Sequence, residues 1–86
     1  MDVCAGGKIS PGTSSITFTN DHTVACKITS CQLPGWPSGT QTVPKRQGST
    51  AGSLTVPLNP PPTTPGDYPY TPDCCDKETD PKIKVQ

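Results

Sequence analysis

Proline occupies 12 of the 86 positions, and this feature most restricts what the chain can fold into. A proline inside a helix removes a backbone donor and clashes with the preceding turn, and within a sheet it is confined to edges and strand ends. No stretch of the chain shows an apolar stripe with the 3.6-residue period of a helix. The sequence therefore excludes a helical bundle and a coiled coil, and favours short β-strands separated by turns.

Apolar residues alternate with polar ones in several short runs, a pattern typical of half-buried strands. The runs cover residues 16–19, 23–29, 54–58, 68–70 and 83–86. Pro-Gly, Asn-Asp and Ser-Gly pairs, which favour turns, lie between them. Pro57 interrupts the third run, so we expect that strand to lie at a sheet edge or to end there. This spacing predicts an all-β fold, a small antiparallel sandwich of about six or seven strands.

The core of such a domain is small. Leu, Ile, Val and Phe together number only 13 residues, and a single domain spanning residues 1–86 buries a modest share of its surface. Covalent support is therefore expected from the five cysteines. These disulfide candidates are Cys4, Cys26, Cys31, Cys74 and Cys75. No CxxC pair occurs, which argues against zinc-ribbon and thioredoxin-like sites. An odd number of five cysteines favours two disulfides and one free thiol, and the sequence does not determine which cysteines pair.

Disulfides predict an oxidising compartment, so we expect a secreted or periplasmic protein. Residues 1–4 have neither the basic start nor the apolar run of a signal peptide. We therefore expect a signal peptide to have been removed ahead of Asp2. A cytosolic protein with reduced thiols is the alternative.

Charge and composition exclude several classes of function. Seven basic residues balance seven acidic ones, which disfavours nucleic-acid binding driven by phosphate contacts. No apolar run is long enough to span a membrane. The single histidine, His22, follows a turn and has no evident catalytic partner, so we predict that the protein is not an enzyme. Binding to a protein or carbohydrate partner through loops is the expected role.

The only tryptophan, Trp36, lies between turn residues and has two interpretations. It is a candidate surface residue for recognition, or it covers one end of the core as a lid. The scarcity of apolar material favours the lid.

The order of the motifs resembles the cupredoxin family. An early strand ends in Phe18-Thr19-Asn20, an alternating strand follows, and the chain closes with Gly66-Asp67-Tyr68-Pro69-Tyr70, then Cys74-Cys75, then Ile83-Lys84-Val85. These pieces are similar to the last strands and ligand loop of a cupredoxin. The resemblance implies a Greek-key sandwich, although immunoglobulin-like sandwiches share several of the motifs and are the alternative.

The copper chemistry of that family is not reproduced. A type 1 site needs two imidazoles and a thiolate, usually with an axial thioether. This chain has one histidine, and its only methionine is Met1. Residues 76–79 are Asp-Lys-Glu-Thr where the family supplies further ligands, so no copper cofactor is expected. The resemblance places Cys26 near the first histidine ligand and Cys74 or Cys75 at the thiolate, which implies a disulfide between Cys26 and one of them.

The adjacent cysteines, taken by themselves, leave three alternatives: separate disulfides, a vicinal disulfide or a thiolate metal site. Side chains of neighbouring residues on an extended strand point in opposite directions, which favours separate partners. We interpret the chain as a non-catalytic structural or binding module stapled by disulfides. The alternative is a protein that binds copper or zinc through Cys26, His22, Cys74 and Cys75.

Overall fold

A computed structural model describes residues 1–76 and 79–86 and contains seven strands in this part of the chain. They are β1 (Gly7–Ile9), β2 (Ser15–Asn20), β3 (Cys26–Cys31), β4 (Gln41–Val43), β5 (Gly52–Pro57), β6 (Gly66–Pro72) and β7 (Lys82–Val85). The all-β prediction is confirmed. Across the described residues, no helix is long and apolar enough to cross a membrane.

The strands form a five-stranded sheet in the order β1-β7-β6-β3-β4 and a two-stranded sheet of β2 and β5. Alternate residues of both sheets point into one shared core, as the period of two in their sequences requires. The buried apolar residues are Val3, Ile16, Phe18, Cys26, Ile28, Leu33, Val43, Val56, Leu58, Tyr70, Ile83 and Val85. The core therefore draws on nearly every strand and on the segment that precedes β1.

The expectation of a purely antiparallel sandwich is wrong, because β1 runs parallel to β7. The other strand pairs of the two sheets are antiparallel. A short hairpin forces its two strands to be antiparallel, but β1 and β7 lie near opposite ends of the chain and no hairpin joins them. The large sheet is consequently mixed.

Two further differences concern strand boundaries. The alternation over residues 23–29 puts Val24 on the same face as Cys26 and Ile28, but Val24 is 59% exposed and the strand begins at Cys26. The side-chain amide of Asn20 donates a hydrogen bond to the Val24 carbonyl, which holds this residue in the preceding loop. The short strands β1 and β4 were not predicted, because three residues are too few to show an alternation.

Pro57 is the last residue of β5, an edge strand, as its missing N–H predicted. Thr17 and Thr55 face each other across β2 and β5, and their hydroxyl groups hydrogen bond at 2.9 Å on the exposed face. This sheet therefore has one apolar face on the core and one hydroxyl-bearing face in solvent.

Tyr70 joins β6 to the N-terminal segment. Its hydroxyl donates a hydrogen bond of 2.8 Å to the Val3 carbonyl, and the Val3 N–H donates to the Thr19 carbonyl at 3.0 Å. The ring also packs edge-on against Phe18, with 5.6 Å between the ring centroids. One phenol therefore links residues from three parts of the chain.

Tyr70→Phe is expected to lower the free energy of unfolding by about 1–2 kcal/mol, because the buried Val3 carbonyl loses its side-chain donor. Urea unfolding followed by tryptophan fluorescence measures this. Tyr68→Phe is the matched control: the Tyr68 hydroxyl donates to the Thr64 carbonyl in an exposed position, so its loss is expected to cost under about 0.5 kcal/mol. Equal losses in the two variants would contradict the role given to Tyr70.

The same tyrosine gives the wild-type protein an alkaline limit. Burial raises the pKa of Tyr70 well above its usual range. As the pH rises through roughly 10, an unfolded tyrosine releases its proton while the folded one keeps it, so stability is lost on the alkaline side. We expect this loss to be smaller in Tyr70→Phe.

Candidate functional site

The candidate site lies at the end of the molecule where the N-terminal segment, the start of β3 and the β6–β7 loop meet. Two disulfides join them: Cys4 pairs with Cys75, and Cys26 pairs with Cys74. The Cα atoms are 5.6 Å apart in the first pair and 5.0 Å apart in the second, within the usual range for disulfides. The second pairing is one of the two that the cupredoxin resemblance implied.

The adjacent cysteines have separate partners because the chain directs their side chains differently. Cys74 bonds to Cys26, which is fully buried at the first position of β3, whereas Cys75 bonds to the half-buried Cys4. The two disulfides nevertheless lie side by side. The Cys74 sulfur is 3.9 Å from the Cys4 sulfur and 3.8 Å from the Cys75 sulfur.

Cys31, the remaining disulfide candidate, is a free thiol. It lies at the last position of β3, while Cys26 lies at the first. A strand rises roughly 3.3 Å per residue, so about 16 Å separates the two backbone positions. Burial raises the pKa of the Cys31 thiol, which makes it a slow nucleophile.

His22 reaches the first disulfide from the β2–β3 loop. Its Nε2 atom lies 3.3 Å from the Cys4 sulfur. The backbone of this loop is fixed by two hydrogen bonds, from the His22 N–H to the Asn20 side-chain oxygen at 2.9 Å and from the Arg46 N–H to the His22 carbonyl at 2.9 Å. The imidazole itself is exposed, so a solvent-facing base borders the half-buried disulfide.

Asn20 positions that loop. Its side chain has no exposed area, and its Nδ2 group lies within hydrogen-bond distance of the carbonyl oxygens of Val24, Val43 and Pro44, at 2.9, 3.3 and 3.2 Å. Its Oδ1 atom accepts the His22 N–H. One amide therefore satisfies backbone groups of both the β2–β3 loop and the end of β4, and holds His22 near Cys4.

Asn20→Ala is expected to cost about 3 kcal/mol of unfolding free energy, because buried backbone groups lose their partners. Asn20→Asp keeps the side-chain size and the acceptor for the His22 N–H but turns an oxygen toward the three carbonyls. We expect it to be at least as destabilising as alanine, since a buried carboxylate with a single backbone donor is costly. Chemical unfolding of both variants measures this, and a nearly wild-type aspartate variant would contradict the donor role.

The metal-binding set expected from the sequence is brought together only in part. The sulfurs of Cys4, Cys74 and Cys75 lie within 4.8 Å of one another, with His22 beside Cys4. The sequence missed Cys4, because nothing in a separation of 71 residues marks it as a neighbour. All three sulfurs are in disulfides, which are not the thiolate ligands that soft metals require. A single imidazole in the chain also does not fit a type 1 copper site.

Trp36 packs against the core. It is half-buried, and its ring lies edge-on to Phe18 with 5.9 Å between the centroids. This is the place of a lid over the core. A recognition role for its exposed part stays a prediction.

A cleft of about 390 Å³ borders the Cys4–Cys75 disulfide on the side of Cys75. Cys75 is the only one of the five cysteines among the described residues that line it, and the side chains of Asp73, Asp76 and Asp80 give it a negative wall. Residues 77 and 78, part of the segment where the cupredoxin family supplies ligands, lie outside the described residues.

The chain matches no protein-family model, no curated protein and no solved structure.

Proposed function

We propose that the chain is a non-catalytic secreted or periplasmic β-sandwich module, structural or binding, that is cupredoxin-like in strand order and has no type 1 copper site. The observation that supports this most is the pair of disulfides at one end of the molecule. They tie three segments that are far apart in sequence, in a chain with few large apolar residues. Such bonds persist in oxidising compartments.

The cupredoxin-like part of the proposal is supported by the position of Cys26. Asn20 ends β2, Cys26 begins the next strand, and Cys74 lies in the loop between β6 and the last strand. The resemblance puts metal ligands at the two cysteine positions, and here a disulfide joins them. A covalent bond between protein side chains thus takes the place that a metal would have in that family.

The binding part of the proposal is supported by loops that the disulfides hold in place. The β2–β3 loop and the β6–β7 loop both lie at the end of the molecule that carries the two disulfides, and most of their described side chains are exposed. A loop that is already ordered loses less conformational freedom when a partner binds. The partner we propose is a protein or a carbohydrate.

A thiol titration with metal analysis tests the proposal on protein purified without reductant. We expect one free thiol in the denatured chain, that of Cys31, and no stoichiometric metal. Peptide mapping after alkylation should find Cys26 joined to Cys74. Several free thiols with one equivalent of copper or zinc would contradict the proposal.

A second candidate function is binding of copper or zinc by the reduced protein. The cluster of Cys4, Cys74 and Cys75 with His22 beside it favours this candidate, since it offers three thiolates and one imidazole after reduction. Zinc titration of the reduced protein, monitored by calorimetry, tests it. Cys31→Ser should bind like wild type and Cys4→Ser should bind more weakly; equal binding by all three would reject the cluster.

A further inference from the structure

We propose that the Cys4–Cys75 disulfide is an exchange site for external dithiols, whereas the Cys26–Cys74 disulfide is a fixed structural bond. The two bonds lie against each other but differ in their surroundings. Cys4, Cys74 and Cys75 are half-buried, while Cys26 has no exposed area. Exchange requires a thiolate to reach a sulfur atom, and the first bond has two partly exposed cysteines where the second has one.

Access favours attack on Cys75. Among the described residues that line the cleft of about 390 Å³, Cys75 is the only member of the two disulfides. A small thiol that enters it therefore lies against Cys75. The carboxylates of Asp73 and Asp76 on its wall favour a neutral or cationic thiol over an anionic one.

The leaving group favours the same bond. When Cys75 is attacked, Cys4 leaves as a thiolate, and the His22 imidazole 3.3 Å from its sulfur can donate a proton to it. A stabilised leaving thiolate departs faster. Attack on Cys74 would instead expel Cys26 into the apolar core, where burial disfavours a thiolate.

The external dithiol supplies the two electrons that reduce the Cys4–Cys75 disulfide. Its first thiolate bonds to the Cys75 sulfur, the Cys75–Cys4 bond breaks, and Cys4 takes a proton from His22. The second thiolate of the dithiol then attacks the dithiol's own sulfur in the mixed disulfide. The bond from that sulfur to Cys75 breaks, the dithiol leaves as a cyclic disulfide, and the Cys75 thiolate takes a proton from water. Two electrons pass from the dithiol to the protein. The Cys4 sulfur lies 3.9 Å from the Cys74 sulfur in the oxidised protein, but attack of Cys4 on Cys74 would again require Cys26 to leave.

Partial reduction of the folded Cys31→Ser protein with dithiothreitol tests the order. After an acid quench and alkylation, we expect the label on Cys4 and Cys75 while Cys26 and Cys74 remain joined. Cysteamine, a cationic monothiol, should form its mixed disulfide on Cys75. Opening of Cys26–Cys74 first, or an adduct on Cys4, would overturn the proposal.

The rate at which the Cys4–Cys75 disulfide is reduced tests whether the His22 imidazole assists the departure of Cys4. His22→Ala should slow it about tenfold, roughly the factor for one hydrogen bond to a charged sulfur. Thr23→Ala, in the same exposed loop, is the control and should keep the wild-type rate. An unchanged rate in His22→Ala, or equal slowing in both variants, would overturn the role of His22.

Discussion

Replacing both Cys26 and Cys74 with alanine is expected to lower the free energy of unfolding by about 4 kcal/mol. The bond closes a loop with a sequence separation of 48, and cross-linking a loop of this length restricts the unfolded chain by roughly that amount in the chain-entropy model. A domain of this size is stable by roughly 5–10 kcal/mol. The variant should therefore lose about half of its stability, which equilibrium urea unfolding followed by Trp36 fluorescence measures.

Part of the cost comes from the folded state. Cys26 has no exposed area and contacts the core, so alanine leaves a small cavity there. Cys31→Ala is the matched control, because it also removes a sulfur from β3 but breaks no bond. We expect it to cost about 1 kcal/mol or less. A double variant as stable as this control would show that the apolar core alone supports the fold.

The alternation of apolar residues was a reliable guide where strands face the core. Ile16 and Phe18 are buried and Thr17 between them is exposed, as the period of two predicts. The same holds for Ile83 and Val85 in the last strand. In these segments the burial of side chains decides the structure, and burial can be read from side-chain types.

The pattern failed where particular hydrogen bonds and strand pairing, rather than side-chain burial, decide the structure. Val24 continues the alternation of β3 but lies in a loop, because the Asn20 side chain binds its carbonyl. Strand β1 pairs with β7 near the opposite end of the chain, and its three residues are too few to carry a periodic signal. The parallel direction of that pair depends on the whole course of the chain between the two strands.

About half of the candidate site could be predicted from the sequence. The alternation rule indicated separate partners for Cys74 and Cys75, and the resemblance pointed to Cys26 as one partner. The other partner is Cys4, and His22 approaches the Cys4 sulfur. Both contacts depend on the path of the N-terminal segment beside β2, which the sequence does not indicate. The N-terminal segment is held beside Thr19 by backbone pairing, and backbone pairing of so short a segment cannot be recognised from its side-chain types.

Phe18→Ala is expected to lower the free energy of unfolding by about 4 kcal/mol, within the usual range for removal of a buried phenylalanine. The ring has no exposed area and lies edge-on to both Trp36 and Tyr70. Its removal leaves a cavity at the centre of the only aromatic cluster in the described residues. Urea unfolding measures the loss, and near-ultraviolet circular dichroism should show a weaker aromatic signal.

Leu54→Ala is the control, because Leu54 is the cross-strand neighbour of Phe18 but only half-buried. We expect it to cost about 1–2 kcal/mol. Equal losses in both variants would show that the core is not built around Phe18. Phe18→Ala combined with the alanine double variant of Cys26 and Cys74 should be unfolded without denaturant, because two losses of about 4 kcal/mol approach the whole stability of such a domain. A chain with so few large apolar residues needs both its central ring and its buried disulfide.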